Sequence, residues 1–131
     1  MIAANDRDIL IEYRLKQAVE SIELAKFLLS SDKLVLAVNR IYYGMFYALS
    51  ALALKHAFKT SKHTQLIGWF NKEFILSKKV DSKYGKILKQ AYQNRTKGDY
   101  EVFIQFSTDE VELLLIKMVD FIQEIKIILK T

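Results

Sequence analysis

The chain has no cysteine and no proline, and only four of its 131 residues are glycine. Without cysteine there is no disulfide and no thiol chemistry, which fits a reducing compartment. Without proline, and with glycine so sparse, little interrupts long helices, and the many Leu, Ile, Ala and Lys residues favour them. Only two histidines, His56 and His63, are present, with no acidic cluster spaced around either, so no metal site is expected. The chain also lacks a Gly-rich phosphate loop, an HExxH pair, an EF-hand and a hydrolase elbow, and no cofactor is expected. The opening residues, MIAANDRDIL, have neither a basic start nor a long apolar stretch. No signal peptide is therefore expected, and a cytoplasmic location is the default. A length of 131 residues is enough for one domain with a real hydrophobic core, spanning residues 1–131.

What is present centres on Ala37 to Leu54, AVNRIYYGMFYALSALAL. From Ile41 to Leu54 this run is uncharged, too short for the roughly 20 apolar residues that cross a membrane. Tyr42, Phe46, Leu49 and Ala53 fall at helical spacing, and so do Tyr43, Tyr47, Ser50 and Leu54. Two adjacent apolar stripes describe a helix contacted over a wide arc, the central core helix. Gly44, Ala48, Ala51 and Ala53 leave room for close neighbours. Asn39 and Arg40 stand one turn before the aromatic cluster. Arg40 either snorkels over its neighbours or offers its planar donor fork to an anion or nucleotide.

Around this helix the periodicity predicts four others. A first helix runs from about Asp6 to Leu29, capped by Asn5 or Asp6, with Ile11, Leu15, Ala18, Ile22, Ala25 and Leu29 inward. Ser30, Ser31 and Asp32 break it and offer a cap to the central helix, which continues to about Ala57. Lys62 to Ile75 reads as a shorter amphipathic helix, and Leu76 to Val80 as a connector. Asp81 caps a fourth helix, which Gly98 ends or follows with a loop. Residues 99–106 read as a loop or helical turn that packs its aromatics. Ser107 and Glu110 have capping-box spacing and open a last helix, about Thr108 to Leu129. On that helix Leu113, Ile116, Ile127 and Ile128 widen the apolar face beyond one stripe, which implies a further partner such as a second subunit. The expected fold is all-α, an antiparallel up-and-down bundle.

Charge is unevenly distributed along the chain. Between Lys55 and Lys97 eleven basic residues face two acidic ones, a local balance of +9, whereas residues 98–131 hold three basic and seven acidic side chains. Such a belt attracts polyanions or simply forms a solvated surface. Lys83, Lys86 and Lys89 form a candidate phosphate-contact surface. His63, beside Lys59 and Lys62 in the first turn of the third helix, is a candidate anion contact or a plain surface histidine. His56 reads as a helix-terminus cation or a packed ring. Arg95 stands close to Asp99 and Tyr100 in RTKGDY, where an Arg–Asp pair could fix a turn.

The run AVNRIYYGMFYALSALAL resembles the hallmark helix of HEPN-domain proteins, small–x–Asn/Ser–Arg–x–Tyr–Tyr–x–x–Phe. KTSKHTQLIGWFNKEF resembles the family's Lys/Thr/His turn before a helix ending in Phe. Arg95 to Tyr100 resembles its Arg–x–x–x–Asp–Tyr element. The resemblance spans nearly the whole chain and implies an antiparallel four-helix bundle with a short extra helix, usually a homodimer. It also implies partnership with a minimal nucleotidyltransferase, in toxin–antitoxin modules or similar pairs.

Some relatives in that family are metal-independent ribonucleases that use an Arg, four to six intervening residues and then a His. Here six residues after Arg40 lead to Tyr47, and four after Arg95 lead to Tyr100. A phenol, near pKa 10, is a poor acid or base at neutral pH beside an imidazole near 6.5. Arg40, Tyr47, Arg95 and Tyr100 are thus the catalytic candidates by position, but cleavage is not expected. Asn39, Arg40, Lys59, Lys62, His63 and Arg95 are the candidates for nucleotide or anion binding. The leading expectation is a dimeric, non-catalytic module that binds nucleotide or RNA and partners a nucleotidyltransferase. The alternatives are an active endoribonuclease toxin, with a tyrosine or His63 in place of the usual histidine, and a helical assembly protein that binds no nucleic acid.

Overall fold

The computed structural model describes residues 4–131. Among them are five α-helices: α1 Ala4–Ser30, α2 Leu34–Lys55, α3 His63–Phe70, α4 Ser82–Tyr100 and α5 Thr108–Leu129. A single π-helical turn, Asn71–Ile75, continues α3. The long helices α1, α2, α4 and α5 form the bundle, and α2 touches each of the other four α-helices. This all-α arrangement, with α3 as the short extra helix, is the expected one.

The centre of α2 is buried as its two apolar stripes require: Ile41, Tyr42, Met45, Ala48, Leu49 and Leu52 are essentially inaccessible. Ala18 and Ala25 from α1 and Met118, Phe121 and Ile122 from α5 close over it. At Gly44 the backbone of α2 is closely approached by α1 and α5. A Cβ placed there would collide with Met118 Cε and lie 3.0 Å from Ser21 Cβ. Lys55, at the end of α2, donates to the Leu129 carbonyl and so caps α5.

Several boundaries differ from the sequence expectation for local reasons. Asn5 and Asp6 lie inside α1 and do not cap it, and Asn5 Oδ1 accepts from the Asp6 N–H at 3.0 Å. Ser30, Ser31 and Asp32 do not cap α2; its N-cap is Lys33, which gives no side-chain hydrogen bond. Asp32, at φ 59°, instead closes α1, with Asp32 N–H to Leu29 O and Lys33 N–H to Leu28 O. The same closure ends α2: Ala57 has φ 57°, its N–H reaches Leu54 O, and the Phe58 N–H reaches Ala53 O. That bond pair is the Schellman arrangement, usually built on glycine. Helix α4 runs through Gly98 to Tyr100 rather than stopping there, and a Cβ at Gly98 would press on Val35 Cγ1 at 3.3 Å and approach Phe106 Cε2 at 3.7 Å. The glycine answers close packing, not chain termination. Of the segment expected to pack its aromatics only Phe106 is buried, while Tyr100, Val102 and Phe103 are exposed. Asp81 and Ser107 cap as expected, accepting from the N–H groups of Lys83 and Glu110.

Candidate functional site

Where α2 and α4 face each other, Arg95 comes over two phenols. Its guanidinium carbon lies 5.7 Å from the centre of the Tyr42 ring and 5.3 Å from that of Tyr43. Arg95 Nη2 donates to the Tyr43 hydroxyl at 3.1 Å. Nε lies 2.8 Å from Asp99 Oδ2, one turn further along α4. The N–H is not aimed at that oxygen, so Nε is charge-compensated but buried without a directed hydrogen bond. The Arg–Asp pair therefore sits within a helix and not at a turn.

Arg40 approaches the same ring, 5.1 Å from the Tyr43 centre, and its Nη2 donates to Asn39 Oδ1 at 3.3 Å. Among the described residues Arg40 makes no ion pair. Two guanidinium groups thus share one phenol, with a single carboxylate paired to one of them. The ring quadrupoles attract both cations but do not cancel their charge. A bound anion would.

His63 opens α3 and brings a third element to the cluster. Its ring stacks on Phe46, with centres 4.2 Å apart and planes 14° from parallel. Nδ1 lies 2.7 Å from the Tyr42 hydroxyl. Burial, with the field of Arg95 added, holds this imidazole below its ordinary 6.5. Burial pushes the Tyr42 phenol well above its ordinary 10, against the opposing pull of Arg95. Tyr42 therefore keeps its proton, and Nδ1 is its one hydrogen-bond partner among the described residues. A buried hydroxyl donates where it can, so Tyr42 donates to Nδ1 and the neutral ring carries its proton on Nε2. In that state His63 has no lone pair free to act as a base. It is a hydrogen-bond donor within the field of Arg95.

The structure thus brings together Arg40, Asn39, His63 and Arg95, and adds Tyr42, Tyr43 and Asp99. The place of Tyr43 between Arg40 and Arg95, and of Tyr42 between Arg95 and His63, follows from the packing of α4 and α3 on α2. Tyr47 lies off the cluster centre and, with Arg40, Gln17 and Glu20, lines a hollow of about 160 Å³ against α1. Tyr100 stands apart, 78 % exposed. Lys59 lines a different groove, between α1 and α2, and Lys62 is an exposed N-cap of α3. Lys83 is drawn to Asp120, 3.4 Å away, which raises its pKa through a hydrogen bond and the opposite charge. Lys86 and Lys89 are exposed. His56 is exposed at the end of α2 with one side of its ring against Trp69 and Phe74, and partial burial, then Lys55 and Lys79, lower its pKa. No group of three or more His, Asp or Glu that could hold a metal ion occurs among the described residues. No helix among them is long and apolar enough to cross a membrane.

Both histidines are held below the unfolded value near 6.5. The unfolded chain then binds more protons than the folded one as pH falls below 6.5, so stability drops with acidification through that window and levels off below the folded pKa values. The thermal midpoint is expected to fall between about pH 7.5 and pH 5, and to fall less in a His63→Gln variant. A midpoint that rises on acidification over this range contradicts the assignment.

The sequence model of the HEPN domain matches residues 11–128. A UPF0332 protein of Thermotoga maritima is 36% identical over 122 residues, 93% of this chain and 92% of its own length. Two proteins of Methanocaldococcus jannaschii carry the name "putative toxin". One is 34% identical over 88% of this chain and 79% of its own length, the other 30% identical over 92% and 89%. With the bundle, the AVNRIYYGMF helix and the match over nearly the whole length in agreement, the chain belongs to the HEPN family.

Proposed function

We propose that this protein is a toxin-like HEPN module that dimerises, binds RNA or nucleotide phosphate at the Arg40–His63–Arg95 cluster, partners a minimal nucleotidyltransferase and does not itself cleave RNA. The observation that carries it is the convergence of both arginines and His63 on Tyr42 and Tyr43. This is a set of donors with surplus positive charge and no free base. The toxin names of two relatives support the toxin-like reading. The positions where catalytic relatives place histidine hold Tyr47 and Tyr100, and His63 spends its basic nitrogen on Tyr42.

Incubation with single-stranded RNA tests the cluster. Intact RNA should be retained by the wild type and released by Arg95→Ala, whereas metal-independent cleavage that disappears in Arg95→Ala would overturn the reading. Light scattering tests the dimer. Leu113 and Ile116 are 52% and 65% exposed on α5, so Ile116→Glu should yield a folded monomer from a wild-type dimer. One chain mass for the wild type at micromolar concentration defeats this part. The partnership predicts that a minimal nucleotidyltransferase co-expressed with the chain co-purifies with it and relieves any growth arrest that the chain causes alone.

A further inference from the structure

The groove that holds Lys59 is separate from the arginine cluster and has as yet no role. It encloses about 680 Å³ between the first half of α1, the second half of α2 and the segment leading into α3. Its surface is largely apolar, and two aromatic residues, Phe46 and Phe58, stand in it. Each is pinned by a second ring: Phe46 by His63, with centres 4.2 Å apart, and Phe58 by Trp69, 5.1 Å apart with planes 11° from parallel. They are rigid walls. Arg14 and Lys59 line the same groove, together with the hydroxyl residues Ser50, Thr60 and Ser61, and no lining residue is acidic. Arg14 donates through Nη1 to Gln17 Oε1 at 2.8 Å, which fixes its direction on α1. Among the described residues neither Arg14 nor Lys59 has an ion-pair partner.

Flat aromatic walls beside unpaired cations and hydroxyls are what a nucleotide requires, since every base offers a face for stacking and its phosphate takes charged donors. The volume lies in the ordinary range for small-ligand sites. We infer that this groove is a nucleotide subsite: a base lies against Phe46 and Phe58, and its phosphate is taken by Arg14 and Lys59. The inference rests on the proposal that the protein binds RNA or nucleotide, and adds where one unit of that ligand is held. A free mononucleotide and one nucleotide of an RNA strand share this chemistry. Because Phe46 backs His63, the groove and the arginine cluster are two sides of one aromatic wall, which a strand could span.

Trp69 is the one tryptophan of the chain and stacks on Phe58, so its fluorescence reports on the groove. AMP titrated into the full-length protein should change this emission saturably. Arg14→Ala should weaken AMP binding by about tenfold or more, as loss of a charge-assisted contact does, while Lys16→Ala, an exposed cation on the same helix, should not. If a short oligoadenylate binds and AMP does not, and Arg14→Ala weakens the oligoadenylate, the groove takes a nucleotide of RNA and the inference stands. If AMP or oligoadenylate binds, Arg95→Ala abolishes it and Arg14→Ala leaves it unchanged, the inference fails while the proposed function survives. If neither binds, both fail together. Displacement of AMP by decanoate with a similar emission change overturns the base assignment in favour of an acyl chain.

Discussion

Gly44→Leu is expected to cost about 3 kcal/mol, a large share of the roughly 5–15 kcal/mol that holds a domain of this size together. Gly44 sits in the middle of α2, where glycine is about 1 kcal/mol worse than alanine on propensity alone. It is there because α1 and α5 press against the α2 backbone, with Met118 Cε and Ser21 Cβ in the place of a Cβ. The methyl end of Met118 is flexible and can give way, whereas Ser21 Cβ, 3.0 Å away, is tied to the α1 backbone, so Gly44→Ala should cost much less than Gly44→Leu without being neutral. A leucine has no such outlet. It must push Met118, which is fully buried, into Phe121 and the rest of the α5 face or force the helices apart. Urea midpoints with unchanged slope measure the effect directly. A Gly44→Leu protein as stable as the wild type would mean that α1, α2 and α5 do not meet as closely as described.

That junction was legible in outline. The small residues on α2 say that something approaches closely; they do not say that the neighbour is Met118, because the register between helices depends on all the contacts at once. The same limit explains Gly98. In sequence a glycine near a helix end reads as a stop, but the stop signal and the close-approach signal are the same missing Cβ. Helix ends built on left-handed Asp32 and Ala57 leave no glycine to read, so Ser30 and Ser31 carry a cap signal that α2 does not use. The bounds of α5 were legible because a cap at Ser107 and an unbroken apolar stripe agree. The site divides in the same way. Arg40 and Arg95 carry the family pattern and were legible as candidates. The tautomer of His63 was not, since it is set by a hydrogen bond from Tyr42, 21 positions away in the chain. Arg14 carries no signal of its own in the sequence, because its groove is made by Phe58 and Lys59, which only folding brings beside α1.

Affinity for single-stranded RNA should fall by about 100-fold to 3000-fold when salt rises tenfold, from about 50 to about 500 mM, which is roughly 3–4.7 kcal/mol. The source is the basic belt from Lys55 to Lys97, eleven cations against Glu73 and Asp81. Each phosphate neutralised on a single strand releases counterions worth about 0.7 in the log–log slope, so three to five contacts give about −2 to −3.5. On α4, Lys83, Lys86 and Lys89 span about 120° of the outer face. They do not contribute alike: Lys83 is held by Asp120, whose carboxylate offsets its charge, whereas Lys86 and Lys89 are exposed. Lys86→Glu should therefore weaken binding to every RNA sequence and flatten the slope, while Lys83→Ala should do less of either, since phosphate contacts position a strand without reading it. Arg40→Ala should weaken binding with little change of slope, because Arg40 donates from a cleft beside Tyr43 and not from the outer belt. Equal slopes for wild type and Lys86→Glu would place the strand elsewhere. A folded dimer that binds neither RNA nor ATP at about 50 mM salt, where counterion release favours binding most, would reduce the belt to a solvated surface and give the assembly-protein reading the lead.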